Sequence, residues 1–154
     1  MLIRLRRFLL LSGQTRYAPH AFFALRLYIG TYLIWGVVGS ILSDRNMANF
    51  EGFLRVIGSP WPELAAPLSV WTQFLIGWLI IPGLFTRWAG LLLAINFLVA
   101  MVLIATSQWG YPRLDRELFG PSICVLVGVV LATHGADRWS LDALFEQIPL
   151  RPGR

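Results

Sequence analysis

Four polar side chains, Ser69, Thr72, Gln73 and Asn96, stand inside stretches otherwise apolar enough to sit in lipid. An amide in hydrocarbon must find a partner, and hydrogen bonds of this kind between helices contribute on the order of 0.6–2 kcal/mol. The commoner use of Gln73 and Asn96 is therefore to tie helices together. The sharper use is to present donors to a ligand carbonyl against an apolar wall, which is what a quinone head group needs. At about 1.5 Å of rise per residue, Gln73 lies roughly 8 Å from one membrane edge and Asn96 roughly 12 Å from the other. That offset in depth predicts no direct bond between them. Arg26 is the fifth polar residue in an apolar run, early enough in it to snorkel back to the near interface.

Other chemistry is sparse. The one cysteine, Cys124, lies in an apolar run and reads as a small buried hydrophobe, and a single thiol excludes a dithiol relay within the chain. His20 and His134 fall in boundary segments at one membrane face, where a solvated histidine is ordinary and no spacing fixes a metal or haem site. No metal-ligand cluster, phosphate loop or Ser-His-Asp set is present. Of the seven Trp, six (Trp35, Trp61, Trp71, Trp88, Trp109, Trp139) fall near the ends of apolar runs, as an interfacial aromatic belt requires. Trp78 is the one expected to lie deep, on the same helical face as Trp71.

The elements that position these residues are membrane helices. Apolar residues make up 56% of the 154 and charged residues 14%, against about a quarter charged in a soluble domain. A chain of this length cannot bury so much apolar surface in its own core, so lipid covers part of it. Spans are expected at about 21–42, 68–85, 88–106 and 119–133, the last the shortest. Gly36 with Ser40 offers a small-xxx-small pair for close helix contact in the first. Between the first two, Phe50, Phe53, Leu54 and Ile57 recur at helical spacing before Gly58-Ser-Pro-Trp-Pro62 breaks the pattern, which predicts a short interfacial or re-entrant helix. Residues 1–20, with Arg4, Arg6 and Arg7 beside Leu5, Phe8 and Leu9, read as an interfacial amphipathic segment with no cleavage expected. Residues 145–154 form a tail.

All thirteen basic residues are arginine and the net charge is +5. The arginines flank apolar segments instead of forming a solvated stripe, so they speak for topology and lipid contact and against nucleic acid. The segment through Arg26, the 82–88 turn and the tail hold nine of them; the two other loops hold four, offset by Asp44, Glu51, Glu63, Asp115 and Glu117. The positive-inside bias puts both termini in the cytoplasm.

Three stretches align with a known pattern: Leu25-Arg26-Leu-Tyr-Ile-Gly30, Gly77 through Pro82-Gly83-Leu-Phe-Thr-Arg87-Trp-Ala-Gly90, and Gly135-Ala-Asp-Arg-Trp-Ser-Leu-Asp142 following Glu117 at the mouth of the last span. Together they resemble the DoxX family of small four-helix membrane proteins, which includes relatives of the small subunit of thiosulfate:quinone oxidoreductase. The resemblance covers about residues 21–144 and implies a subunit linked to redox partners or quinone. It departs at Gln73, where relatives commonly carry glutamate; an amide does not titrate, so proton-coupled chemistry is not expected there. Arg87, Glu117 and Asp142 match family positions. Their plainer readings are a topology charge for Arg87 and part of a helix N-cap after Ser140 for Asp142.

The sequence thus reads as an all-α integral membrane four-helix bundle, multi-pass in the cytoplasmic membrane. It is expected to serve as an accessory subunit of a redox-linked complex, partnered by another membrane or redox protein or by itself, and not as a self-sufficient enzyme. The second reading is a quinone-reactive subunit of an oxidoreductase. A small-solute transporter fits less, because transport sites show ionisable residues at mid-membrane or inverted repeats. The expected ligand pocket lies at the outer half of the bundle, lined by Gln73, Trp71, Glu63 and Glu117, with quinone as the candidate cofactor and no metal. Asn96, Arg87, Arg26 and Asp142 are expected to be structural polar residues.

Overall fold

The computed structural model describes residues 17–107, 114–135 and 137–146, all helix and connecting turn, with no strand among them. Six helices follow in order: α1 (Ala18–Leu42), α2 (Asp44–Val56), α3 (Pro62–Ile80), α4 (Thr86–Thr106), α5 (Leu114–His134) and α6 (Leu141–Glu146). α1, α3, α4 and α5 are long and apolar enough to cross a membrane. Of the amphipathic segment expected over residues 1–20, residues 18–20 belong to α1, and of the tail expected over 145–154, residues 145 and 146 belong to α6; residues 1–16 and 147–154 lie outside the described residues.

The expected four spans are present with three changes of extent. α3 begins six residues before Leu68, because Pro62 occupies the first turn, where a proline loses no hydrogen bond. Pro67 then sits inside the helix, a position that membrane spans tolerate. α3 also ends at Ile80, which puts Trp78 in its last turn; the side chain is exposed, so it belongs to the aromatic belt and not to the deep interior. The α5 helix starts at Leu114 and runs through Pro121, equal to α4 in length at 21 residues, while its apolar span, Glu117–His134, is the shortest of the four at 18 residues, as expected.

Glycine sets the turns. Gly58, Gly83 and Gly135 have φ of 85°, 72° and 78°, the left-handed conformation that ends α2, shapes the α3–α4 turn and ends α5. Ser59 N–H reaches back to Leu54 C=O (2.9 Å) and Leu84 N–H to Leu79 C=O (2.9 Å), the six-to-one closure of a Schellman turn in each case.

The spans pack as two tight antiparallel pairs, α1 with α3 and α4 with α5, joined more loosely by α3 against α4. In lipid no hydrophobic force draws helices together, so close backbone approach must supply the contact. Each pair crosses on reciprocal glycines. A Cβ at Gly30 would lie 2.9 Å from Gly77 O and one at Gly77 2.8 Å from Gly30 O; Gly90 and Gly128 stand in the same relation, at 2.7 Å each way. The expected Gly36–Ser40 contact is not where the crossing occurs: nothing lies within 4 Å of a Cβ at Gly36. Its helix turns that face outward, whereas Gly30, six residues earlier, faces α3.

Two apolar clusters fill the bundle. One joins Ile29 and Leu33 of α1, Ile76 and Ile80 of α3, Ala89 and Leu93 of α4 and Cys124 and Leu131 of α5. The other lies toward the opposite end, where Leu54 and Ile57, at the end of α2, meet Ala66 of α3 and Ile104 of α4. α2 therefore lies against the bundle by its apolar face, as its periodicity predicts.

Candidate functional site: a polar-floored cavity and a buried ion pair

A cavity of about 510 Å³ opens between α2, α3 and α4. Phe50 and Phe53 of α2 form one wall, Phe97 of α4 another, and the polar residues in the lining are Ser69, Thr72, Gln73 and Asn96. Gln73 Nε2 donates to Ser69 Oγ (3.0 Å), and Ser69 Oγ donates to Asn96 Oδ1 (3.2 Å). Gln73 and Asn96 do not bond directly, but they are not far apart in depth as expected: Asn96 lies level with Ser69, one helical turn before Gln73, and Ser69 bridges the two. The chain consumes one donor of Gln73 and none of Asn96. One N–H of Gln73 and both of Asn96 are left available to an acceptor in the cavity. Every described side chain lining it is neutral.

Of the four residues expected to line a pocket, Gln73 does so. Trp71 lies two positions before it, about 200° around the helix, and faces outward, edge-on to Phe74 at 5.8 Å between ring centroids. Glu63 is exposed and accepts a hydrogen bond from Arg55 Nη2 at 3.0 Å; Arg55 also pairs with Glu51 at 2.9 Å. These bonds fasten the end of α2 to the start of α3 beside the cavity. Glu117 is exposed at the start of α5 and is not among the lining residues. Asn96, expected to be structural, does tie α4 to α3 by accepting from Ser69, and it also lines the cavity. Ser69, Phe50 and Phe53 belong to it as well, and only the helical register of α2 on α3 brings them together.

At the other end of the bundle is a buried ion pair. Arg26 does not snorkel: it is 0% exposed, and its Nη2 donates to Asp137 Oδ1 at 2.9 Å and to the backbone carbonyl of Trp139. Although it sits about two turns into α1, its level matches the α3–α4 turn and the segment after α5, which close over it. A Cβ at Gly83 would overlap Arg26 Nη1, so the guanidinium lies directly on that turn. The segment 137–142 is held on three sides. Asp137 Oδ1 also accepts from Trp139 N–H (3.0 Å), and Leu141 and Asp142 N–H donate to Pro82 and Gly83 carbonyls (3.0 Å each).

Asp142 does not cap its own helix. Ser140 Oγ does, accepting from Ala143 N–H at 3.1 Å, while the Asp142 carboxylate reaches across to cap α4, taking Phe85 N–H and Thr86 N–H at 2.8 Å each. Phe85 has φ of 50° and no capping side chain of its own, so the carboxylate supplies the acceptor and the negative charge that this helix start favours. Arg87 is exposed and lies against Gly135, where a Cβ would be 2.7 Å from its Nε, next to the carbonyl end of α5. Asp137 is the residue sequence reasoning missed. A buried arginine in a span calls for an acid, and Asp137 stands within the quoted Gly135–Asp142 stretch.

His20 and His134 share this end, His20 5.9 Å from the Trp139 ring and His134 4.4 Å from Phe22. Among the described residues no three His, Cys, Asp or Glu side chains converge as a metal site would require.

A family model described as DoxX matches residues 21–106, more than half of the chain. No curated protein and no solved structure matches.

Proposed function

The chain belongs to the DoxX family, and on that footing we propose that it is a small membrane subunit of a redox-linked complex, one that holds a quinone-type ligand in the cavity between α2, α3 and α4. The observation that carries this reading is the Ser69–Gln73–Asn96 chain. Its hydrogen bonds fix the two amides side by side and leave N–H groups uncommitted. A quinone brings two carbonyl acceptors on an apolar ring, and such ligands fit cavities of ≈ 300–1,000 Å³ with few polar groups on apolar walls. When bound, a quinone would supply two-electron redox chemistry. This chain's residues orient the ring, through Gln73 and Asn96, and exclude water with the phenylalanines. With only neutral side chains lining the cavity, protons and electrons are supplied by a partner, which favours a subunit over a self-sufficient enzyme.

The expected result is near-stoichiometric quinone in the lipid extract of protein purified in mild detergent, with mass spectrometry identifying the chains that co-purify. Asn96→Leu and Gln73→Leu should each reduce quinone content at least tenfold, the loss of roughly 1.4 kcal/mol or more for a hydrogen bond to a carbonyl. Quinone content equal in wild type and both variants would overturn the reading.

The proposed location is the cytoplasmic membrane with both termini inside. Two observations support it: Arg26 near the start of α1 contacts Asp137 just beyond α5, and the sequence segments up to Arg26, around Arg87 and after Asp137 carry nine of the thirteen arginines. A cytoplasm-active reporter fused to the C-terminus should give signal and a periplasm-active one none. The reverse pattern would refute the orientation.

A further inference from the structure

The face that carries Arg26 also holds a second cavity, of about 630 Å³, between the start of α4 and α6. Its walls include Phe85, Trp88 and Phe145, all more than half exposed, and its polar groups include Arg87 and Glu146. It lies where α4 leaves the apolar part of the bundle, the level at which lipid head groups and the aromatic belt meet.

We propose that this cavity binds the head group of an aminophospholipid, with the phosphate on Arg87 and the ammonium on Glu146. Three observations carry it. The first is charge: neither Arg87 nor Glu146 makes an ion pair among the described residues, although both line one cavity. Asp142, also in its wall, has both oxygens committed to the α4 amides. Among the described residues the cavity therefore offers one cation and one anion outside any ion pair, the charges a zwitterion complements, with the Asp142 charge set against the start of α4. The second is Thr86, which is 0% exposed yet has a hydroxyl without a hydrogen-bond partner among the described residues. It lines the same cavity, and of the residues in that wall it is the one whose buried hydroxyl has no partner among the described residues. The third is the helix start itself. Asp142 holds the Phe85 and Thr86 N–H groups, but Arg87 and Trp88 N–H also precede the first intrahelical bond, Ala89 N–H to Phe85 C=O (2.9 Å), and add two further donors at this helix start. The aromatic rings flank the acyl side. A primary ammonium can hydrogen-bond Glu146, whereas a quaternary ammonium cannot, and an anionic glycerol head group would face that carboxylate with no cation of its own.

The test reconstitutes the full chain into nanodiscs of phosphatidylcholine doped with phosphatidylethanolamine or phosphatidylglycerol and counts retained lipids by native mass spectrometry. Phosphatidylethanolamine should be retained at least tenfold more than phosphatidylcholine or phosphatidylglycerol. Glu146→Gln, at an exposed position that leaves the fold alone, should erase the preference for phosphatidylethanolamine over phosphatidylglycerol; Arg87→Gln should lower retention of all phospholipids. Equal retention of the three lipids by the wild type, a preference for phosphatidylglycerol, or an undiminished ethanolamine preference in Glu146→Gln would each overturn the proposal.

Discussion

Replacing Asp137 by alanine is expected to destabilise the protein by about 3–5 kcal/mol, because it leaves a fully buried arginine without its counter-charge. Arg26 sits on Gly83 with no exposed surface, so water cannot take over the carboxylate's place without opening the α3–α4 turn. That turn is itself held by Leu141 and Asp142, so the loss should spread to the capping of α4. The double variant Arg26→Met with Asp137→Leu should regain most of the stability, since apolar replacement of a whole buried pair is often neutral or stabilising. Arg55→Ala serves as the contrast. Its pairs with Glu51 and Glu63 are solvent-exposed and should contribute no more than about 1 kcal/mol. Unfolding in mixed micelles by titrated denaturing detergent measures all three against the wild type. A single Asp137→Ala variant as stable as Arg55→Ala would mean that the pair does not hold the end of the bundle together.

Gly90→Val is expected to part α4 from α5, at a cost near or above the roughly 1–3 kcal/mol typical of overpacking. A Cβ at Gly90 would stand 2.6 Å from Ala132 N and 2.7 Å from Gly128 O. These are backbone atoms of a helix and cannot swing aside as a side-chain tip could. Because α5 packs mainly on α4, no other interface compensates. Gly36→Ala is the matched control: the site is open, and removing a glycine from a helix interior should stabilise by about 0.5–1 kcal/mol. The same micelle titration should therefore move in opposite directions for the two variants. A Gly90→Val protein unfolding with the wild type would show that the crossing is not fixed by glycine.

Much of this architecture was legible in the residues. Long apolar runs between arginines demand spans, and the Phe50–Ile57 spacing demands a helix lying on the bundle. Polar residues in lipid demanded partners, and Gln73 and Asn96 found one in Ser69. What could not be read was tertiary in origin. Sequence spacing names the small residues in a helix but not the face turned to a neighbour, so Gly36 and Ser40 looked equivalent to Gly30. Arg26 reads as a snorkelling residue when its helix is considered alone; only the return of the chain 111 residues later seals it against Asp137. Asp142 follows a serine that already caps α6, and its reach to α4 depends on how the α3–α4 turn is held. The expected pocket grouped polar residues by depth, whereas the cavity selects by helical angle. That excludes Trp71 from the lining while admitting Asn96.

The most direct measurement of the central claim is photolabelling of the full chain in membranes with an azido-quinone, followed by peptide mapping. The labels should fall on α2 around Phe50–Ile57, on α3 around Leu68–Gln73 and on α4 around Ile95–Ala100, should be competed by unlabelled quinone, and should disappear in Asn96→Leu. Labelling confined to the lipid-facing side of α1, around Tyr28–Trp35, or labelling that unlabelled quinone does not displace, would contradict a quinone site in the cavity.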